Sequence, residues 1–158
     1  MAIRNAVEDD LDDILQLIKD LATYEKASEQ VRATTETLRQ ALFCEHPKAF
    51  CVMAETEDGR LAGFALYFLN FSTWEGVHGL YLEDLFVRPE FRGQGFGGAL
   101  LKHLARIADD NSYARMEWVV LNWNAPAIEV YQRIGGRPMD DWTTYRLTGA
   151  ALTEFARS

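Results

Sequence analysis

The stretch Leu80–Gly98, LYLEDLFVRPEFRGQGFGG, joins an apolar strand carrying two acidic residues to a glycine-rich turn and then to a helix, which sets a candidate base beside a candidate phosphate cradle. Leu82, Leu85, Phe86 and Val87 supply the strand. Gly93, Gly95, Gly97 and Gly98 then fall within six residues, beside Arg92, and ALLKHLARIAD follows with Leu100, Leu101, Leu104, Ile107 and Ala108 on one helical face. Glycine lets the backbone take positive φ and approach a ligand closely, and the unpaired N–H groups of a first helical turn attract phosphate oxygens. An ordinary strand-to-helix turn needs one glycine, so this density points to a pyrophosphate site.

The ligands that use such loops leave different marks. Gly93, Gly95 and Gly98 satisfy G-x-G-x-x-G, but a dinucleotide fold wants an acidic residue about 20 positions further on at a strand tip, where this chain has Asp109 and Asp110 at a helix end. A phosphate loop for ATP needs Gly-Lys-Ser/Thr, and Gly97, Gly98 and Ala99 offer neither the lysine nor the hydroxyl.

Arg92, Gly95 and Gly97 match the Q/R-x-x-G-x-G/A loop of the GNAT superfamily of N-acetyltransferases, which in that family holds the pyrophosphate of acetyl-CoA. Further segments resemble its spermidine/spermine and thialysine acetyltransferase branch: YLED at Tyr81–Asp84, Trp123 with Asn124, Tyr131, LIKDLATYE at Leu17–Glu25, EQV at Glu29–Val31 and EHP at Glu45–Pro47. The resemblance runs from Ile3 to about Leu147.

The resemblance implies acetyl-CoA as co-substrate, held by the strand edge at Leu85, Phe86 and Val87 and by the loop residues Arg92, Gly93, Gln94, Gly95, Phe96, Gly97 and Gly98. Asn124, Ala127, Tyr131 and Arg133 are carried over as further cofactor contacts, and Tyr24, Glu25, Trp74, Glu83 and Asp84 as the amine site. It also implies a homodimer.

The chemistry can be argued separately. An alkylammonium is not nucleophilic while protonated, so acetyl transfer at neutral pH needs a proton acceptor, and Glu83 is the best candidate. Strict alternation along Val77–Val87 would put Tyr81, Glu83 and Leu85 on one face and Leu82, Asp84 and Phe86 on the other, giving the two acids different tasks. Asp84 could bind a substrate amine, reach a partner subunit or satisfy buried backbone donors. A departing thiolate needs a proton, and Tyr131, on a helix opened by Asn124 and Pro126, is the candidate acid; its plain alternative is a packed helix tyrosine. Ser72 and about Thr143 stand where the polyamine branch carries acids, which favours a zwitterionic, thialysine-like amine over spermine. Action on a protein amine, and a non-catalytic acetyl-CoA-binding module, are the competing readings.

Composition fits one domain over residues 1–158, with 48% hydrophobic residues to build a core. The formal net charge of −8 argues against nucleic acid and suits a cationic substrate. The sequence has no apolar run of the roughly 20 residues a membrane span needs, and MAIRNAVEDDLDD is too acidic for a secretion signal, so a cytoplasmic protein is expected. Cys44 and Cys51 are expected reduced and buried, and no metal-ligand spacing is evident.

Periodicity and caps give strands at 2–5, 50–55, 61–71, 77–87, 116–121 and 143–147, with helices at 9–26, from Thr34 to about Phe43, after the glycine loop, and from Pro126 to Gly135. Local hairpins mixed with strand–helix–strand crossovers imply an α+β fold around a mixed, largely antiparallel sheet flanked by helices.

Overall fold

The computed structural model describes residues 1–158. The chain divides into two compact units, Met1–Val119 and Val120–Ser158.

The first unit carries a five-stranded sheet in the order β1 (Ala2–Asn5), β2 (Ala49–Glu55), β3 (Leu61–Ser72), β4 (Val77–Val87) and β5 (Met116–Glu117). The first four strands pair antiparallel and β5 joins β4 in parallel, so the sheet is mixed as expected. Helix α1 (Leu11–Tyr24) buries Leu11, Ile14 and Leu17 against one face, where Cys51, Met53, Phe64 and Phe86 meet them. Full burial of a side chain such as Ile14 or Leu17 is worth about 1.5–3 kcal/mol, so this stripe fixes the helix on the sheet. Helix α2 (Thr35–Leu42) adds Leu38 and Leu42 to that core. Thr34 opens α2 by accepting the Thr37 N–H, while its own N–H donates to the Thr37 hydroxyl. The alternate residues Val52, Ala54, Ala65, Leu80 and Leu82 face the other way, where α3 (Phe96–Asp110) packs with Leu100, Leu101, Leu104 and Ala108.

Beneath β1, Arg4 grips the buried Asp10 through Nη1 and Nη2, at 2.6 and 2.8 Å, and donates from Nε to Glu55 at 2.7 Å. The Arg4 guanidinium holds the Asp10 carboxyl below the usual carboxylate range, outweighing the opposing effect of burial. Cys44 and Cys51 are both free; Cys51 is buried, which pushes its thiol up to about 12, whereas Cys44 is exposed rather than buried.

The second unit holds α4 (Ala125–Arg133) and α5 (Gly149–Arg157) and no strand. The strand expected at 143–147 is absent, because this unit contains no other strand to complete a ladder and a lone extended segment is not stable in water. The strand expected at 116–121 shortens to Met116–Glu117, because its pairing with β4 stops at Tyr81 although β4 itself continues to Val87. No helix is long and apolar enough to cross a membrane.

Candidate active site

The acidic part of the site rests on a fault in the sheet register. Leu66 pairs with Asp84, but the next residue of β3, Tyr67, pairs with Leu82, so Glu83 is the extra residue of a β-bulge. Neighbouring residues on β3 point to opposite faces, and therefore so do their partners Leu82 and Asp84. The strict alternation expected from the sequence is thus corrected: Asp84 and Phe86 stay together on the α1 face as expected, but Leu82 leaves them for the α3 face with Leu85, and Tyr81 joins the α1 face. The two acids do not work on opposite sides of the sheet.

Electrostatics agrees with that geometry. Burial, then the charges of Glu83 and of Glu25, push the Asp84 carboxyl up to about 6. Glu25 is the C-cap of α1, and burial raises its carboxyl too. Lys26, in the left-handed region at φ 60°, donates its N–H to Thr23 O while Ala27 N–H reaches Ala22 O, so the chain turns tightly and Glu25 stays over the sheet. Glu25, Glu83 and Asp84 therefore share one field, which favours a bound cation.

The loop supplies the complementary charge. Gly93 and Gly95 take φ of 75° and 89°, where a side chain is strained, and Gly95 caps α3. The first helical hydrogen bond is Ala99 N–H to Gly95 O, so the N–H groups of Phe96, Gly97 and Gly98 form an open first turn with no capping side chain and no acidic residue in the turn itself. Such a turn accepts a pyrophosphate. Arg92 itself braces the cradle: Nε donates to Val87 O at 3.0 Å, and the guanidinium lies 4.9 Å from the Tyr24 ring centroid and 5.3 Å from that of Phe86. Gln94 is likewise turned back, onto Glu90 O.

Beside the loop, β4 has an open edge, since its pairing with β5 ends at Tyr81 and Glu117. Arg88 N–H donates to Ala62 O, so the ladder turns the backbone groups of Phe86 to β3 and those of Leu85 and Val87 outwards. The Phe86 backbone is therefore not on the open edge, and its buried ring lies against Arg92. An extended arm could add to this edge as a strand does, and with the open turn of α3 these residues fit acetyl-CoA.

In the second unit, the Asn124 side chain accepts from Ala127 N–H at 3.4 Å and caps α4. Tyr131 is partly buried, and Arg133 is held by Glu129 at 2.7 Å. Trp74, at the tip of the β3–β4 hairpin, is 89% exposed.

Residues 11–136 match the profile of the acetyltransferase (GNAT) family. The chain belongs to the GNAT acetyltransferase family. This acetyltransferase is 38% identical to thialysine N-epsilon-acetyltransferase of Sus scrofa over 98% of its own length and 96% of that protein. It is 32% identical to spermidine/spermine N(1)-acetyltransferase-like protein 1 of Homo sapiens, across 98% of its length and 23% of the human protein. Among solved structures, an integron cassette protein from the mobile metagenome of V. cholerae superposes with a TM-score of 0.81 at 28% identity, over 99% of this chain and 98% of that one. The chain is an acetyl-CoA-dependent N-acetyltransferase with the GNAT fold.

The acetyltransferase also carries a polar group that its sequence pattern hides. Glu117 accepts from Asn70 Nδ2 and from Arg115 Nε, both at 2.8 Å, and lies beside Tyr81 across the β4–β5 pair. Ser72 is buried, and its hydroxyl accepts the Glu75 N–H and a 3.5 Å contact from Arg115 Nη1. Both contacts use the hydroxyl oxygen as acceptor and tie Ser72 to the β3–β4 hairpin and to Arg115. Only a charged pair on the two residues flanking Met116, unusual on a short strand, could have pointed to this cluster.

Proposed function

We propose that this acetyltransferase moves the acetyl group of acetyl-CoA to a primary amine of a small cationic substrate, a thialysine-like amine or a di- or polyamine. The observation that carries the reading is the cluster of Glu25, Glu83 and Asp84 on the α1 face of β4, next to the open edge at Leu85 and Val87. The similarity to thialysine N-epsilon-acetyltransferases supports the same substrate class.

Bound acetyl-CoA would supply an acyl group activated as a thioester. The N–H groups of Phe96, Gly97 and Gly98 hold its pyrophosphate, with Arg92 bracing the loop through Val87 O and Tyr24. Leu85 and Val87 turn their N–H groups to the open edge, and in this reading Val87 N–H polarises the thioester carbonyl oxygen. Asp84 and Glu25 attract the substrate cation, and Glu83, the more exposed of the two neighbouring acids on β4, takes the proton from its reacting nitrogen. Tyr131 returns a proton to the departing sulfur. Asn124, Ala127 and Arg133 complete the cofactor contacts, and Tyr24 and Trp74 the amine site.

In this reading residues 1–158 work as one GNAT domain, as a homodimer in the cytoplasm. Exposed Phe71, Trp74 and Val77 on the β3–β4 hairpin support a covered surface there. Thiol release from acetyl-CoA across spermidine, putrescine, thialysine, lysine and a protein mixture tests the assignment. Turnover with the small amines is expected, and turnover with the protein mixture alone would overturn it.

A further inference from the structure

We propose that Arg115 and Glu117 recognise the α-carboxylate and the α-ammonium of an amino acid whose side-chain amine reacts at Glu83. This rests on the reading of Glu83 as the place of reaction, and it narrows the substrate to an ω-amino α-amino acid such as lysine or thialysine.

The pair lies on the same face as the acidic cluster. Asn70 pairs with Gly79 and Phe68 with Tyr81, so Asn70 and Tyr81 share a face of the sheet with Asp84. Glu117, alongside Tyr81, and Arg115, two residues earlier, point the same way. Burial, then the charges of Glu83 and of Glu117, raise the Tyr81 hydroxyl above its ordinary value, so both carboxylates act on it. By strand geometry the Cα atoms of Glu117 and Glu83 are roughly 8 Å apart. The five bonds from Cα to the terminal nitrogen of a lysine side chain extend about 6 Å. A lysine-like substrate therefore reaches from one carboxylate to the other.

The chemistry of the pair suits a zwitterion. Nε of Arg115 holds Glu117 Oε2 and Nη1 makes only the 3.5 Å contact to Ser72, so the Nη1–Nη2 fork can take a carboxylate bidentately. Glu117 meets both its donors through Oε2, which leaves Oε1 for an ammonium. The side chains of Arg115 and Glu117 are 43% and 35% exposed, so a ligand can enter.

Two features indicate that the arrangement is maintained at a cost to the fold. Asn70 Oδ1 is buried without a partner, because the amide is turned to give its N–H to Glu117, and such a group needs explanation in a native protein. Gly79 makes room for the cluster: a Cβ there would lie 2.4 Å from Asn70 Oδ1 and 3.2 Å from Arg115 Cγ.

The test uses lysine, cadaverine (lysine without its carboxylate) and ε-aminocaproate (lysine without its α-amine). Each is measured by thiol release for kcat/KM and by calorimetry on the CoA-saturated protein for Kd. In Arg115→Gln the preference for lysine over cadaverine should fall by roughly tenfold to a hundredfold, the weight of a charge-assisted bidentate contact. Arg115→Lys should recover only part of it, since the charge remains and the fork is lost. In Glu117→Gln the preference for lysine over ε-aminocaproate should fall by a similar factor. The proposal is overturned if Arg115→Gln changes lysine and cadaverine equally, as a purely structural pair would, or if the wild-type protein binds none of the three. Wild-type protein that binds lysine through Arg115 yet acetylates no amine would instead overturn the proposed acetyl transfer at Glu83, leaving the recognition site standing.

Discussion

Leu82 and Asp84, two residues apart on β4, point to opposite faces of the sheet because Glu83 between them has no partner on β3. One extra residue thereby keeps Leu82 in the α3 core while turning Asp84 towards Glu25 and the end of α1. The bulge builds the acidic site without breaking the apolar layer behind it.

A carboxyl raised to about 6 by burial and by like charges costs the fold stability when ionised. Between the unfolded value of 3.8 and about 6 the folded protein holds a proton that the unfolded chain has released. The Asp84 contribution to stability therefore falls as pH rises through that window and is flat above it. Asp84→Asn should raise stability at pH near 8 by on the order of 1–2 kcal/mol and raise KM for the amine. Thermal melts at pH 5 and 8 check this; a variant less stable than wild type at pH 8 would argue that Asp84 is a structural acceptor.

Gly98 has open space where a Cβ would stand. Gly98→Asp places a carboxylate on the first turn of α3, which favours the helix dipole but competes with a bound pyrophosphate. The melting temperature should hold or rise while calorimetric affinity for acetyl-CoA falls by about tenfold or more. Unchanged affinity would move the cofactor away from this loop.

Asp10 carries the opposite pH dependence. Its folded pKa is depressed by Arg4, so the stability it provides is present above the ordinary carboxylate range near pH 4 and is lost as pH falls through and below it. Asp10→Ala should cost about 3 kcal/mol at neutral pH by stranding Arg4 and the Val7 N–H. Urea denaturation of the two proteins reads that difference.

Most of this architecture can be read along the chain. The stripe at Leu11, Ile14 and Leu17, the Thr34 cap and the four glycines after Arg92 are local signals, and local signals fix α1, α2 and the loop. What escaped depends on pairing. A period of two counts residues and not partners, so the bulge at Glu83 is invisible until Leu66 and Tyr67 choose Asp84 and Leu82. The β-prone run WTTYRL forms no strand for the same reason, and α5 was missed because the run GAALTEFAR opens on a glycine. Arg115 and Glu117 read as strand punctuation until Asn70 and Gly79 bring them together with Ser72.

Tyr131→Phe removes the proposed proton donor while keeping the ring. It should lower kcat by about tenfold to a thousandfold, with acetyl-CoA affinity preserved, and the loss should shrink with substrates whose leaving thiol is more acidic. A variant with unaltered kcat would assign Tyr131 to packing.

The most direct measurement is kcat of Glu83→Gln at pH 7 with the preferred small amine, alongside calorimetric binding of acetyl-CoA. The account predicts turnover reduced by about a hundredfold to ten-thousandfold, partial recovery at high pH where the free amine is abundant, and unchanged cofactor affinity. Wild-type turnover in that variant at pH 7 would contradict it.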